Sequence, residues 1–296
     1  MSVHIFTIPS SAEGKSAASF LKGRVRKMTP MRLDVAFHKG MIKANGNIIG
    51  SEQSLHRGDI VEVDTTHFDQ PKVFPENIPF RIAYEDSDLL ILQKPSGMAC
   101  HAGLGVFYGT LLNAIAYHFQ ETNQLGLKNG LIHRLDRGTS GLMLCAKTKT
   151  CYDGLMKQMR DGEIKRSYFV ASDVKSHPAF GLVDAPLGRD PENAFNIGII
   201  EGGKEARTHF KWLEEFEGKQ LYQCTTETGR THQVRIHMAS IGAPLLGDQR
   251  YGGKEADRLY LCSASIGFKH PIDGNFWNIR MERPDFFTEK PEIIRD

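Results

Sequence analysis

The densest run of reactive side chains is LIHRLDRGTSGLMLCAK, residues 131–147. Arg134 and Arg137 flank Asp136, and opposite charge on both sides favours the ionised carboxylate. Gly138-Thr139-Ser140-Gly141 reads as a turn and Leu142 to Ala146 as a strand, which puts the carboxylate on a loop beside a core strand. An isolated R-x-D-R is more often a surface ion-pair cluster. A second cluster, TGRTHQVRIHMASIGAPLLGDQRYGG at 228–253, reads as a helix with Thr231 as N-cap and Gly242 just beyond its end. Val234, Met238 and Ile241 would face the core, while Arg235, one turn from His232, projects to the same side as that histidine. His232 and His237 lie about 140° apart around a helix, so they do not make a pair of metal ligands. A third piece, KRSYFVA at 165–171, is a short strand on which Tyr168 alternates with Arg166 and Val170. A single strand tyrosine is usually a packing residue. None of the three clusters decides a function alone.

The elements that must hold these residues are legible in outline. Strand signals recur in IAYED, LLILQKP, GLMLCAK, RSYFVA and QLYQCTTE, and helical periodicity appears in TLLNAIAYHFQ, TCYDGLMKQMRDG and THQVRIHMASIG. Strands and helices mix without regular βαβ alternation, which predicts an α+β fold with a mixed, largely antiparallel sheet. With 296 residues, 40% of them hydrophobic, the chain can build a sizeable core and exceeds one average domain. No stretch approaches a membrane span, and the N-terminus lacks the apolar run of a signal peptide, so a cytoplasmic protein is expected. Cys100, Cys145, Cys151, Cys224 and Cys262 include no C-x-x-C pair, which disfavours zinc, and an odd count without a signal disfavours a disulfide framework. Each reads as a small buried hydrophobe.

The net charge of +2 conceals an asymmetry. Residues 1–45 carry eight Lys or Arg against two acids, and residues 46–93 carry three against nine. Ala18, Phe20, Leu21 and Val25, then Leu33, Ala36 and Phe37, have helical rhythm, and Asn45-Gly46 and His56-Arg57-Gly58-Asp59 read as turns between short strands. Residues 1–70 therefore read as a small basic module suited to a polyanion. Pro71, Pro75 and Pro79 mark 71–79 as a linker, which leaves 80–296 as the second domain.

Together, HRLDRGTSG, KRSYFVA, GKEARTHF and TGRTHQVRIHMASIGAPLLGDQRYGG closely resemble the RluA family of RNA pseudouridine synthases in order and spacing. LILQKPSGMACHAG, GTLLNAI and APLGRDP add to the match, which covers roughly residues 80–263. The N-terminal module more weakly resembles the αL-type RNA-binding module, and it is degenerate at its first helix. Gly138 stands where the family more often has an acidic or polar residue, and Gln93 where asparagine is common.

The resemblance implies a pseudouridine-synthase fold and isomerisation of uridine to pseudouridine in structured RNA, ribosomal RNA ahead of transfer RNA. It implies Asp136 as the catalytic carboxylate, Arg235 as its charge partner in a buried ion pair, and Tyr168 as the residue that stacks on the base and handles the proton of carbon 5. Arg134 would fill the space the uridine vacates, and Arg230, His232 and Lys147 would contact phosphate. The reaction involves no redox step, group transfer or hydrolysis, so no cofactor or metal is expected, and a monomer is expected. Two rivals have distinct requirements. A catalytically silent RNA-binding protein would have lost Asp136, Tyr168 or Arg235, and a nucleoside hydrolase would want a second carboxylate in the motifs.

Overall fold

The computed structural model describes residues 3–25, 28–66, 73–103, 108–121, 130–175, 178–190, 196–287 and 293–295. The chain divides into two compact units, Met1–Lys72 and Val73–Asp296.

The first unit runs β1 (Val3–Thr7), α1 (Ala17–Leu21), α2 (Pro30–His38), β2 (Ile42–Ala44), β3 (Asn47–Ile48) and β4 (Ile60–Asp64). Ser16 and Thr29 cap the two helices, each accepting a backbone N–H at 3.4 Å, and Pro30 occupies the first turn of α2, where no N–H is required. Asn45 and Gly46 both have positive φ, so the β2–β3 loop is the two-residue turn that Asn-Gly favours. The sheet is antiparallel in the order β1-β4-β2-β3, and Phe20, Leu21, Leu33 and Phe37 pack on Ile42, Val61 and Val63. The sequence reading overlooked β1, whose alternating VHIFT leaves Val3 and Ile5 exposed at the edge of that sheet.

The second unit runs β5 (Arg81–Glu85), β6 (Leu89–Lys94), α3 (Leu111–Glu121), β7 (Ser140–Ala146), α4 (Lys149–Asp161), β8 (Lys165–Ser172), β9 (Phe180–Asp184), β10 (Leu187–Arg189), β11 (Ile197–Ile199), β12 (Arg207–Phe216), β13 (Lys219–Thr226), α5 (Gln233–Ser240), β14 (Leu261–Lys269), β15 (Phe276–Met281) and β16 (Ile293–Arg295). Its main sheet has the order β5-β6-β7-β14-β8-β13-β12-β9, with β15 also on β14 and β16 on β15. Among the described residues only the β7–β14 pairing is parallel, so the expected α+β class with a mixed, largely antiparallel sheet holds. Every residue of β7 is buried, because apolar layers cover both faces of the sheet. Met143 and Cys145 join the layer containing α3 and α5, and Leu142, Leu144 and Ala146 join the layer under α4. All five cysteines are free and buried.

Two features place the 131–139 loop. Gly141 has φ +107°, and a Cβ there would lie 2.3 Å from Ser263 O, so only glycine permits the close β7–β14 approach. His133 extends the β7 pairing with its side chain, its Nε2 accepting the Leu144 N–H at 3.2 Å while Ile132 N–H donates to Leu144 O. That bond makes Nε2 an acceptor and the ring neutral. Burial, aided by the Arg166 charge, pushes His133 down to about 3. The unfolded chain thus takes up a proton near 6.5 that the folded chain refuses, so the stability this histidine contributes is intact above 6.5 and is lost as pH falls toward about 3. Urea unfolding between pH 6 and 5 should show this loss, and His133→Gln should lower the slope by about 1.4 kcal/mol per pH unit. An unchanged slope would put the ring in solvent.

Of the expected linker at 71–79, residues 71 and 72 lie outside the described residues, and residues 73–79 fall in the second unit. Asn113 Nδ2 donates to Phe74 O at 2.8 Å, Glu76 N–H donates to Asn113 O, Glu76 Oε2 accepts the Gly109 N–H at 2.7 Å, and Phe74 stacks on Tyr108. The proline spacing marked a chain without regular structure but could not reveal that α3 supplies its hydrogen bonds. A chain beginning at residue 73 should fold cooperatively, whereas one beginning at residue 80 should be less stable by about 1–3 kcal/mol, since the buried Asn113 amide loses its partner. Equal denaturant midpoints would refute this.

Candidate active site

Asp136 lies on the loop leading into β7, and the turn after β6 clamps that loop from behind. Lys94, fully buried, donates its Nζ protons to Pro95 O, Met98 O and Arg137 O at 2.8, 2.8 and 3.2 Å. Burial pushes Lys94 down to about 8. Gly97 N–H donates to Arg137 O, Arg137 Nε donates to Gly97 O, and Ser96 Oγ donates to Gly138 O. Cys100 Sγ accepts the Leu135 N–H and donates to Leu135 O. Lys94, Ser96 and Cys100 carry no role in the sequence reading, although all three fall in the LILQKPSGMACHAG match. Gly138, one of the departures, makes room for Leu259, which would lie 3.2 Å from an added Cβ.

The turn before α5 forms the opposite wall. Buried Gln233 accepts the Arg230 N–H and the Thr228 hydroxyl, and donates to Arg207 O and Thr208 Oγ1. Because Gln233 fixes the turn, the chain enters α5 from His232 at φ +59°, and His232, not Thr231, occupies the N-cap. Thr231 is exposed. Gly242 follows the C-cap at φ +77°, and Val234, Met238 and Ile241 face the core, as expected. His237 is fully buried between Thr208 Oγ1 and Ala185 O, away from His232.

Between these walls opens a cleft lined by Arg134, Asp136, Tyr168, Arg230, His232 and Arg235, among others. Six of the seven sequence candidates thus share one cavity. Tyr168, 9% exposed, sits on β8 opposite Cys224 and Ser263, and burial pushes its hydroxyl above the ordinary tyrosine range. Arg134 and Arg230 are exposed at the rim, and Arg230 Nε donates to Glu205 O. Lys147 is the exception. It lies one residue past the far end of β7, 3% exposed, with Nζ on Glu85 Oε1 and Asp86 O, so it cannot reach a phosphate at the cleft. The seven residues of β7 carry it roughly 23 Å along the strand from the Asp136 loop.

The expected Arg235–Asp136 ion pair is present, and it is the looser of two that Arg235 makes. Arg235 makes its tight fork with Asp248, Nε to Oδ2 and Nη2 to Oδ1, both at 2.7 Å, and Asp248 is 1% exposed. Only Arg235 Nη1 turns to Asp136, at 3.5 Å from Oδ2. Burial opposes the guanidinium charge, but the Asp248 hydrogen bonds and charge overcome it and hold Arg235 above its ordinary range. His232 Nε2 stands 3.7 Å from the same Asp136 oxygen. Asp248 falls within the GDQRYGG stretch, but no spacing rule links it to Arg235, since the pairing depends on how the turn after α5 folds back.

The desolvated ion pair is therefore Arg235–Asp248. Arg235→Ala, which strands a buried carboxylate, should cost about 3–5 kcal/mol of stability. Asp136→Asn should cost less than Arg235→Ala, since the Asp136 carboxylate is partly exposed, at 26%, and its contacts are long. Comparable losses in denaturant unfolding would show that Asp136 carries the buried charge instead.

Comparison with known proteins agrees with this geometry. The family model described as RNA pseudouridylate synthase matches residues 88–240, which span both walls of the cleft. A protein named ribosomal large subunit pseudouridine synthase D from Nitrosomonas europaea is 35% identical, covering 98% of this chain and 87% of its own. One of the same name from Zymomonas mobilis is 40% identical over 75% of this chain and 72% of its own. The solved structure of human RNA pseudouridylate synthase domain containing 1 superposes with a TM-score of 0.60 at 20% identity, covering 74% of this chain and 91% of that one, a likeness of fold. On the family match and these relatives, the chain belongs to the RluA family of RNA pseudouridine synthases, enzymes that isomerise uridine in RNA.

Proposed function

We propose that this enzyme isomerises uridine in ribosomal RNA of the large subunit, with Asp136 as the catalytic carboxylate. The observation that carries the assignment is the state of that carboxylate. Asp136 is a carboxylate lining a cleft rimmed by arginines, and its contacts to Arg235 and His232 are both longer than a normal hydrogen bond. A carboxylate already closed into a tight ion pair would be a poor partner for the positive charge that develops on ribose as the glycosidic bond breaks. Asp248 occupies the Arg235 fork, and Asp136 keeps its charge available. The substrate class follows the names of the relatives.

The other roles follow from position. Tyr168 offers its ring to the extruded base, and burial raises its hydroxyl above the ordinary tyrosine range. Extruding a uridine costs a few kcal/mol. Arg134, exposed and without a hydrogen bond or ion pair among the described residues, is available to prop the vacated stack. Arg230 at the rim serves the phosphates. The first unit adds a basic grip through exposed residues such as Lys22, Lys39 and Lys43. A monomer acting in the cytoplasm, where ribosomal RNA is made, completes the reading, and no described helix is long and apolar enough to cross a membrane.

The test is release of tritium from RNA labelled at carbon 5 of uridine. Wild-type enzyme should release it to water without free uracil. Asp136→Asn should bind RNA and release none; turnover by this variant would remove Asp136 from the mechanism. Changing Lys22, Lys39 and Lys43 to glutamine should flatten the log–log salt dependence of RNA binding by about 0.7–0.9 for each phosphate no longer neutralised. An unchanged slope would make the first unit a solvated bystander.

A further inference from the structure

A guanidinium drawn out of water needs acceptors for its N–H groups and a counter-charge. Several arginines of the second unit have both. Arg207 reaches Asp184 and Glu205, Arg235 forks onto Asp248, and Arg258 donates to Ser140 and Asp285. Arg166 on β8 does not. It is half-buried, its Nε is inaccessible to solvent, and its guanidinium makes no hydrogen bond or ion pair among the described residues. The protein holds a positive charge there and supplies nothing to meet it.

The surroundings of Arg166 point to what does. Arg166 and Tyr168 alternate onto one face of β8, which runs in unbroken register along β13, and Arg166 stands directly across from Thr226. Its Nη2 and Nη1 lie over Gly229, where an added Cβ would come within 2.9 and 3.0 Å of them. The Gly229 backbone is outside the left-handed region, so glycine serves there by leaving space, and the guanidinium occupies that space. Tyr168, Thr226 and Gly229 all line the cleft. Arg166 therefore borders the cleft among uncharged residues, which hold its charge in place without neutralising it.

We infer that Arg166 is a substrate-binding residue that takes a phosphodiester group of the RNA beside the target uridine. The inference rests on the reading of the cleft as the place where that uridine binds. A phosphodiester offers what Arg166 lacks, a pair of oxygens that match the guanidinium fork and a negative charge. A carbonyl of the base would accept the hydrogen bonds but leave the charge uncompensated. Lys147, held by Glu85 at the far end of β7, leaves a phosphate-binding role open, and Arg166 fills it at the cleft itself.

The test pairs a neutral side chain with a neutral RNA linkage. Arg166→Gln should weaken binding of a hairpin RNA containing the modified uridine about 10-fold or more. It should also flatten the log–log salt dependence by about 0.7–0.9. With wild-type enzyme, a methylphosphonate replacing either the 5′ or the 3′ phosphate of that uridine should cause a similar loss, and the linkage that does so identifies the phosphate. With Arg166→Gln the same linkage should cost nothing further, since the two changes remove one interaction. Stability should not follow affinity: removing an uncompensated charge should keep or raise the denaturant midpoint, whereas loss of a structural arginine lowers it. Unchanged affinity in Arg166→Gln, losses that add instead of overlapping, or a lowered midpoint would each overturn the proposal. Binding is read without turnover, so an active Asp136→Asn would overturn the role of that carboxylate alone.

Discussion

The Arg235–Asp248 pair sets the charge state of the whole cleft. A guanidinium brought into a mostly buried position loses its hydration, and two short parallel hydrogen bonds to a carboxylate of 1% exposure compensate that loss. Having spent Nε and Nη2 on Asp248, Arg235 has one N–H left for Asp136 and holds it at 3.5 Å. A lone arginine in the same place would be free to fork directly onto Asp136 and neutralise it. Three charges in a row, with the cation committed to the rear, leave a carboxylate that is electrostatically supported yet not closed. Tyr251 adds its ring face at 5.0 Å from the guanidinium and its hydroxyl to His232, so a single turn after α5 orients both neighbours of Asp136.

Positioning Asp136 itself is a backbone problem. A loop that carries a charged side chain into a cleft exposes its own carbonyls and amides to desolvation, and each needs a partner. The turn after β6 supplies them with an ammonium, a hydroxyl, a thiol and a glycine amide aimed at residues 135–138. Lys94 is the clearest case, a fully buried cation whose hydrogen-bond partners are backbone oxygens. It acts as a three-pronged tie between two loops and lies behind the chemistry. At the other end of the same loop, His133 replaces a strand hydrogen bond with a ring nitrogen, and Gly141 lets β14 approach β7 at a distance no side chain would allow.

Local physics made much of this legible in the sequence. The fully apolar Leu142–Ala146 run, the Asn45-Gly46 turn, the helical rhythms of α3 and α4 and the spacing of Arg235 from His232 are short-range patterns, and each appears where the residues imply. Where the reading failed, a distant partner had intervened. Thr231 is a good N-cap by type, but Gln233, bonded to β12 residues 207 and 208, dictates a left-handed entry through His232. Pro71, Pro75 and Pro79 mark irregular chain, but the hydrogen bonds that tie 73–79 down come from α3.

By itself, then, the sequence determined the α+β class, because side-chain periodicity is encoded locally, and its resemblance to a known family picked out six of the residues that line the cleft. Tertiary structure alone decided which charges touch. Lys147 lies in the same 131–147 run as Asp136, yet the extended rise of β7 carries it to Glu85 at the opposite end of the strand. Asp248 is thirteen residues from Arg235 and no periodicity relates them, yet the fold-back after α5 makes them the tightest pair in the site. Electrostatic partnership depends on distances of a few ångströms and on exclusion of water, and both are set by how loops close over a core.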